Sequence, residues 1–213
     1  MHPWILALWL GSAAATAPDG WLLVERVVAV VDDDVVLASE LERRVAQARV
    51  ALGQLADPGE RERRQATLPH ETLQTIVEER LVAQTAASLA ITIDDSQIDA
   101  AVTQIRDFNK LDDAGFARAV ADGGWTMAEY RQDLHRQLLR FKLISLLFAA
   151  SVTISDAAVQ AAYAAEKAKN PALGESAGEL EHLRAVLFER AMSEATARWL
   201  GEARRNAHVE LRL

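Results

Sequence analysis

The stretch Arg26-Val-Val-Ala-Val-Val-Asp-Asp-Asp-Val-Val-Leu-Ala-Ser-Glu-Leu-Glu-Arg-Arg44 decides the fold. Val27 to Val31 is a continuous apolar run dominated by β-branched residues, which predicts a strand. Asp32-Asp33-Asp34 is a turn signal, because short Asp side chains bond their own backbone, and Val35-Val36 resumes the strand pattern. Ser39 then opens a helix, with Glu42 three positions on to complete a capping box. At the far end, Val209-Glu-Leu-Arg-Leu213 alternates apolar and charged residues, the period of a half-buried strand. Almost everything between has helical periodicity. A strand arriving after so much helix needs a partner, and the N-terminal hairpin is the obvious one. The expected fold is mainly α, closed by a small antiparallel sheet of the N-terminal hairpin and the C-terminal strand.

The helices follow from spacing and caps. The first runs past Val50 and loosens at Asp57-Pro58-Gly59, and the charged stretch Glu60 to Gln65 reads as a solvated turn or short helix. Glu71 to Leu89 is amphipathic, with Leu73, Ile76, Val77, Leu81 and Gln84 on one side, and Ile91-Thr-Ile93 breaks out of it. Asp94 or Asp95 caps the next helix, which carries Ile98, Val102, Ile105 and Phe108. A short helix marked by Phe116 and Val120 ends at Gly123-Gly124, where glycine readily takes the left-handed cap. Thr126 starts the longest helix, whose stripe includes Tyr130, Leu134, Leu138, Phe141, Ser145 and Phe148. Ser155 caps a helix reaching about Lys169, a linker occupies residues 169–178, and a last long helix spans roughly Glu179 to Asn206.

The chain begins with Trp4-Ile-Leu-Ala-Leu-Trp-Leu-Gly-Ser-Ala-Ala-Ala-Thr-Ala17, apolar and then rich in small residues. A membrane helix needs about 20 apolar residues, so this run is short for one. It reads as a signal peptide over residues 1–17, cleaved after Ala15 or a little upstream, although its first residues hold neither Lys nor Arg. An uncleaved anchor and a buried N-terminal helix are the other readings. Residues 18–213 then form one domain of about 195 residues, long enough for a sizeable core. The net charge of −8 disfavours nucleic acid and anionic membrane surfaces as partners.

Chemistry is hard to place. There is no cysteine to act as nucleophile or metal ligand. The Asp32–Asp34 run lacks the glycine and distant glutamate of a calcium loop. His70-Glu71 resembles the opening of a zinc-protease helix, but the residue four beyond His70 is Gln74, so His70 reads as a polar residue near a helix start. His135, His182 and His208 stand singly, and no nucleophile elbow or phosphate loop occurs. No catalytic residue, metal ligand or cofactor is therefore expected. Trp21, Trp125 and Trp199 are either packing residues or the lining of a groove.

Val27-Val-Ala-Val-Val-Asp-Asp-Asp-Val-Val-Leu-Ala-Ser-Glu-Leu41 resembles the opening of SurA-type periplasmic chaperones. Further stretches resemble the same family in order: Leu73 to Gln84, Ile91 to Ile98, Tyr130 to Leu138, Val152 to Asp156 with Tyr163, and Ala207 to Leu213. The resemblance implies a helical chaperone core that binds unfolded outer-membrane or envelope proteins in the periplasm without ATP, as a monomer or weak dimer. Tyr130, Phe141, Phe148 and Trp199 are the expected client-lining residues, and they sit equally well in a core. The family's parvulin isomerase domains would lie between the last two helices, where residues 169–178 leave no room for one. The expectation is a holdase without isomerase activity. Other readings are an assembly factor or adaptor for one envelope protein, and a residual isomerase.

Overall fold

The computed structural model describes residues 25–170, 174 and 176–212. Residues 1–24, with the expected signal segment, Trp4, Trp9 and Trp21, together with Leu213 and residues 171–173 and 175 of the linker, lie outside the described residues. The order of elements is β1 (Val27–Val31), β2 (Asp34–Leu37), α1 (Ala38–Leu52), α2 (Pro58–Ser88), α3 (Asp95–Phe108), α4 (Asp113–Asp122), α5 (Met127–Phe148), α6 (Asp156–Lys169), α7 (Ala177–Asn206) and β3 (Val209–Leu211). The fold is mainly helical, with a three-stranded antiparallel sheet in the order β2-β1-β3.

The C-terminal strand does come home to the N-terminal hairpin. β3 pairs with β1 in the register Val31↔Val209, Val30↔Glu210 and Ala29↔Leu211. Asp32 fastens the corner. Its backbone N–H donates to the His208 carbonyl at 2.8 Å, and its carboxylate accepts the His208 backbone N–H at 2.8 Å. It does so from φ 51°, a conformation Asp tolerates better than most side chains. The Val28, Val31 and Val36 side chains of this sheet are fully buried against Leu41 and Val45 of α1 and Leu73, Ile76 and Val77 of α2. Ala203, Ala207 and Val209 pack on the same cluster, so the end of the chain completes its first core.

Two further clusters lie along the chain. Val82, Leu143 and Leu200 join α2, α5 and α7, with Ile91, Leu147 and Trp199 around them. Val159, Tyr163 and Leu183 zip α6 to the first half of α7. The Arg184 guanidinium fixes the entry to α6, donating to the Ile154 carbonyl at 3.0 Å and to Asp156 at 2.7 Å.

Helix ends follow local chemistry. Asp94 and Thr126 form capping boxes with Gln97 and Glu129, and Ser155 caps α6 through the Ala158 N–H. Three helices end in the same six-to-one pattern, with Ile91 N–H bonding Ala86 O, Leu111 N–H bonding Arg106 O and Trp125 N–H bonding Val120 O. The left-handed residue in these three ends is Ala90 (φ 53°), Lys110 (φ 56°) and Gly124 (φ 81°) respectively.

Four expectations need correction. The helix that Thr126 starts is not the longest: α5 has 22 residues, whereas α2, extended through Pro69, has 31 and α7 has 30. Ser39 does not cap α1: the helix begins at Ala38 after Leu37 with no side-chain cap, and the Glu25 carboxylate accepts the Ser39 N–H at 3.2 Å instead. An acceptor brought in from before β1 satisfies the helix end that a local box would have served. Glu60 to Gln65 is neither a turn nor a separate short helix. It belongs to α2, which Asp57 caps through Gly59 N–H with Pro58 in the first turn. Pro69 removes one backbone bond inside α2 without ending it, because Leu68 on one side and Leu73 on the other are anchored in the first core. His70 consequently lies within α2, beside Gln74, and not near a helix start.

Ala90→Gly relieves a left-handed alanine and is expected to stabilise the fold by about 0.5–1 kcal/mol in urea unfolding. At the sheet corner, Asp32→Ala should cost about 1–2 kcal/mol by loss of the His208 bond and added backbone strain. Asp32→Asn keeps an acceptor and tolerates the same φ, so its midpoint should stay near that of the parent.

Candidate functional site

The α5 stripe explains why an apolar surface is left open. Near the helix start it is covered: Tyr130 meets Phe116 of α4 edge-on at 5.6 Å between ring centres, and Leu134 is buried. Beyond Leu138 the same stripe runs past those neighbours. Phe141 is 71% exposed, and Ser145 and Phe148 are half-buried. The opposite side, at Leu139 and Leu143, is buried among α2 and α7.

Two hollows flank Phe141. One, of about 440 Å³, lies between α3 and α5 and is lined by Ile105, Phe108, Leu134 and Leu138. Phe108, at the end of α3, is 86% exposed. The other is a groove of about 940 Å³ between α5 and α7, with Ile144, Phe188, Met192 and Leu200 among its apolar lining. Phe141 and Gln137 line both, so the two form one apolar track across the molecule. Charges stand at the groove rim: Arg140 sits 3.7 Å from Glu78, and Glu189 and Arg204 also line it.

The four expected lining residues thus separate. Phe141 stands at the centre of the track, while Phe148 is half-buried at the end of α5 and does not line the groove. Tyr130 packs on Phe116, and Trp199 packs on the cluster of Val82, Leu143 and Leu200. Trp125 lines a third hollow of about 700 Å³ with Val50 and Leu68. Sequence reasoning passed over Phe188 and Met192 and took Phe108 for an ordinary amphipathic position. The signal for Phe108 was its place at the last turn before Asn109-Lys110, where a helix has little left to pack against.

The polar side of the molecule is an ion-pair network. Arg44 binds Glu79 through both guanidinium nitrogens, one at 2.9 Å. Arg80 binds Glu40 at 2.8 Å, and Arg136 reaches Asp133 at 2.8 Å and Glu79 at 3.3 Å. Burial alone pulls the Arg44 pKa down, but the Glu79 hydrogen bond and the charges of Glu79, Glu40 and Asp133 leave it raised. Three cations and three anions are matched. Among the described residues no group of three or more His, Asp or Glu side chains is arranged to hold a metal ion. Nor is any described helix long and apolar enough to cross a membrane.

The family model of the SurA N-terminal domain matches residues 24–144. The chain belongs to the SurA N-terminal domain family. Chaperone SurA of Chromobacterium violaceum is 33% identical over 148 residues, covering 69% of this chain and 34% of that protein. Chaperone SurA of Alkalilimnicola ehrlichii is 30% identical over 147 residues, covering 69% and 33%. The chain therefore spans about a third of the length of these curated relatives. A solved structure from work on PEB4 and Cj1289, two structurally related SurA-like chaperones of Campylobacter jejuni, matches with a TM-score of 0.45. Its sequence identity is 16%, and the match covers 67% of this chain and 50% of that chain. Within the family match lie α3 and most of α5, hence Phe108 and Phe141; the α7 wall of the groove lies beyond it.

Glu129 supplies a pH test of the scaffold under this surface. Hydrogen bonds from the Thr126 backbone and hydroxyl, with a smaller contribution from Arg43 3.6 Å away, hold its carboxyl below the ordinary glutamate range. A carboxyl depressed in the folded state stabilises it above the unfolded pKa, about 4.3, and that contribution is lost as pH falls through the depressed value. Glu129→Gln should therefore lie below the parent at neutral pH and converge with it on acidification. Parallel stability curves from pH 7 to about pH 3 would remove Glu129 from this role.

Proposed function

We propose that this chain is a holdase chaperone of the periplasm, binding unfolded outer-membrane or other envelope proteins along the track from Phe108 across Phe141 into the α5/α7 groove. One observation carries the reading. A chain of a family whose relatives are named chaperones leaves two large aromatic side chains open to water, flanking one continuous apolar path. Exposed phenylalanines at 86% and 71% are costly to solubility unless a partner covers them.

The physics is passive burial. Covering apolar surface yields roughly 25 cal/mol per Å², and much of that gain is offset by ordering an unfolded client. Each contact is then weak and releasable, and no nucleotide is required. The acidic exterior keeps the complex soluble. Prolyl isomerase activity is not part of the proposal: α6 ends at Lys169 and α7 begins at Ala177, with only a short connection between them. Export by the leader at residues 1–17 places the protein where such clients pass.

The test is aggregation of an unfolded β-barrel membrane protein, followed by light scattering with and without the purified chain. The parent should suppress scattering. Phe141→Glu should weaken client affinity about tenfold, the worth of roughly one half-buried aromatic contact. Because Phe141 is exposed, the same substitution should shift folding stability by no more than about 0.5 kcal/mol. No suppression by the parent at molar excess would remove the holdase reading, and unchanged affinity of the variant would move the site off this track.

A further inference from the structure

The α5/α7 groove has a property that client binding does not explain. Its two ends carry opposite charge. At one end Arg204 stands beside the Arg140–Glu78 pair, leaving one net positive charge. At the other end is Glu189. The side chains of Glu189 and Arg204 have no hydrogen bond or ion pair among the described residues. Both belong to α7, roughly 22 Å apart along its axis. Their midpoint falls between Thr196 and Ala197, both of which line the groove.

We infer that the groove is self-complementary and that, when no client fills it, a second copy of this chain does, with the two α7 helices antiparallel about a two-fold axis at Thr196 and Ala197. That axis sets Glu189 of each copy against Arg204 of the other. It also sets Met192 against Gly201, a large side chain facing a small one, and lays Ser193 over Leu200, which is itself buried on Val82 and Leu143 of its own chain. A two-fold contact uses one surface twice, so a single groove with unlike ends satisfies both of its own charges only in this orientation. A parallel pairing would set Glu189 against Glu189 and Arg204 against Arg204. α5 runs antiparallel to α7 across the groove, since Gln137 and Arg140 lie near the Arg204 end and Ala149 near the Phe188 end. The dimer is therefore centred on four helices, α5-α7-α7-α5, and it covers Phe141 of both copies. Resting on the holdase reading, one consequence follows: clients and the second copy compete for the same groove.

The experiment is sedimentation of the purified protein over a range of concentrations, with helical content checked by circular dichroism. The parent is expected to form a dimer whose affinity falls with added salt. Glu189→Arg alone, and Arg204→Glu alone, each place like charges at both ends of the interface and should weaken the dimer by about tenfold or more. Mixing the two single variants in equal amounts should restore dimers, because each copy then meets its opposite at both ends. A parent that stays monomeric overturns the inference. So do single variants that associate as tightly as the parent, or a mixture of folded variants that does not recover. Scattering assays on the dilute, monomeric parent separate the two readings. Protection by a parent that never dimerises keeps the holdase and sinks the interface. Dimers that respond to the charge swaps, with no protection at any concentration, keep the interface and sink the holdase.

Discussion

Everything in this fold hangs on three backbone pairs between β1 and β3 and on the corner that Asp32 makes with His208. A three-residue strand contributes little by itself, and isolated two-stranded ribbons are marginal in water. Its importance is where it puts α7. Once β3 is fixed on β1, the C-terminal end of α7 is held over the first core by Ala203 and Ala207, and Leu200 and Trp199 meet α2 and α5. The remaining turns of α7 then have no choice but to leave the body alongside the second half of α5. A small sheet thus acts as a locating pin for a thirty-residue helix.

The groove is a consequence of that constraint. α5 and α7 touch through Leu143, Leu147, Trp199 and Leu200, and diverge on the other side of this contact. Between them remains an apolar trough that neither helix can close, because their positions are set by packing on α2. Phe141 sits at its edge, left largely open by the described residues. Burying it would require α3 to be longer, and α3 stops at Phe108 with Lys110 in the left-handed cap. Exposed aromatic surface here is the outcome of where neighbouring helices end.

Much of this was legible in residue order. The turn at Asp32, the caps at Asp94, Thr126 and Ser155, the stop at Gly123-Gly124 and the return of the last strand all rest on local chemistry that a sequence carries openly. What was hidden has a common cause. Glu25 replaces Ser39 as the partner of the α1 start because a residue fourteen positions away is brought close by the hairpin. α2 passes through Pro69 because distant contacts outweigh one lost bond. Periodicity identified Tyr130, Phe141 and Phe148 as one stripe but says nothing of where a covering helix stops. Coverage is tertiary information, and it alone separates the packed Tyr130 from the open Phe141.

The same geometry limits what this surface can recognise. Its lining mixes apolar side chains with Gln137, Ser145, Ser193 and Thr196, and apolar area dominates over fixed donors and acceptors. A site built to read a polar group discriminates strongly, whereas an apolar pocket separates its ligands by only a few kcal/mol. The rim charges are too far apart to read a single side chain, yet well placed to orient a long occupant end to end. Under the proposed holdase function, recognition by area and polarity would suit clients that share hydrophobicity but no common sequence. It also means that affinity is governed by how many such contacts one chain makes at once, from Phe108 through Phe141 to Met192, more than by the strength of any one of them.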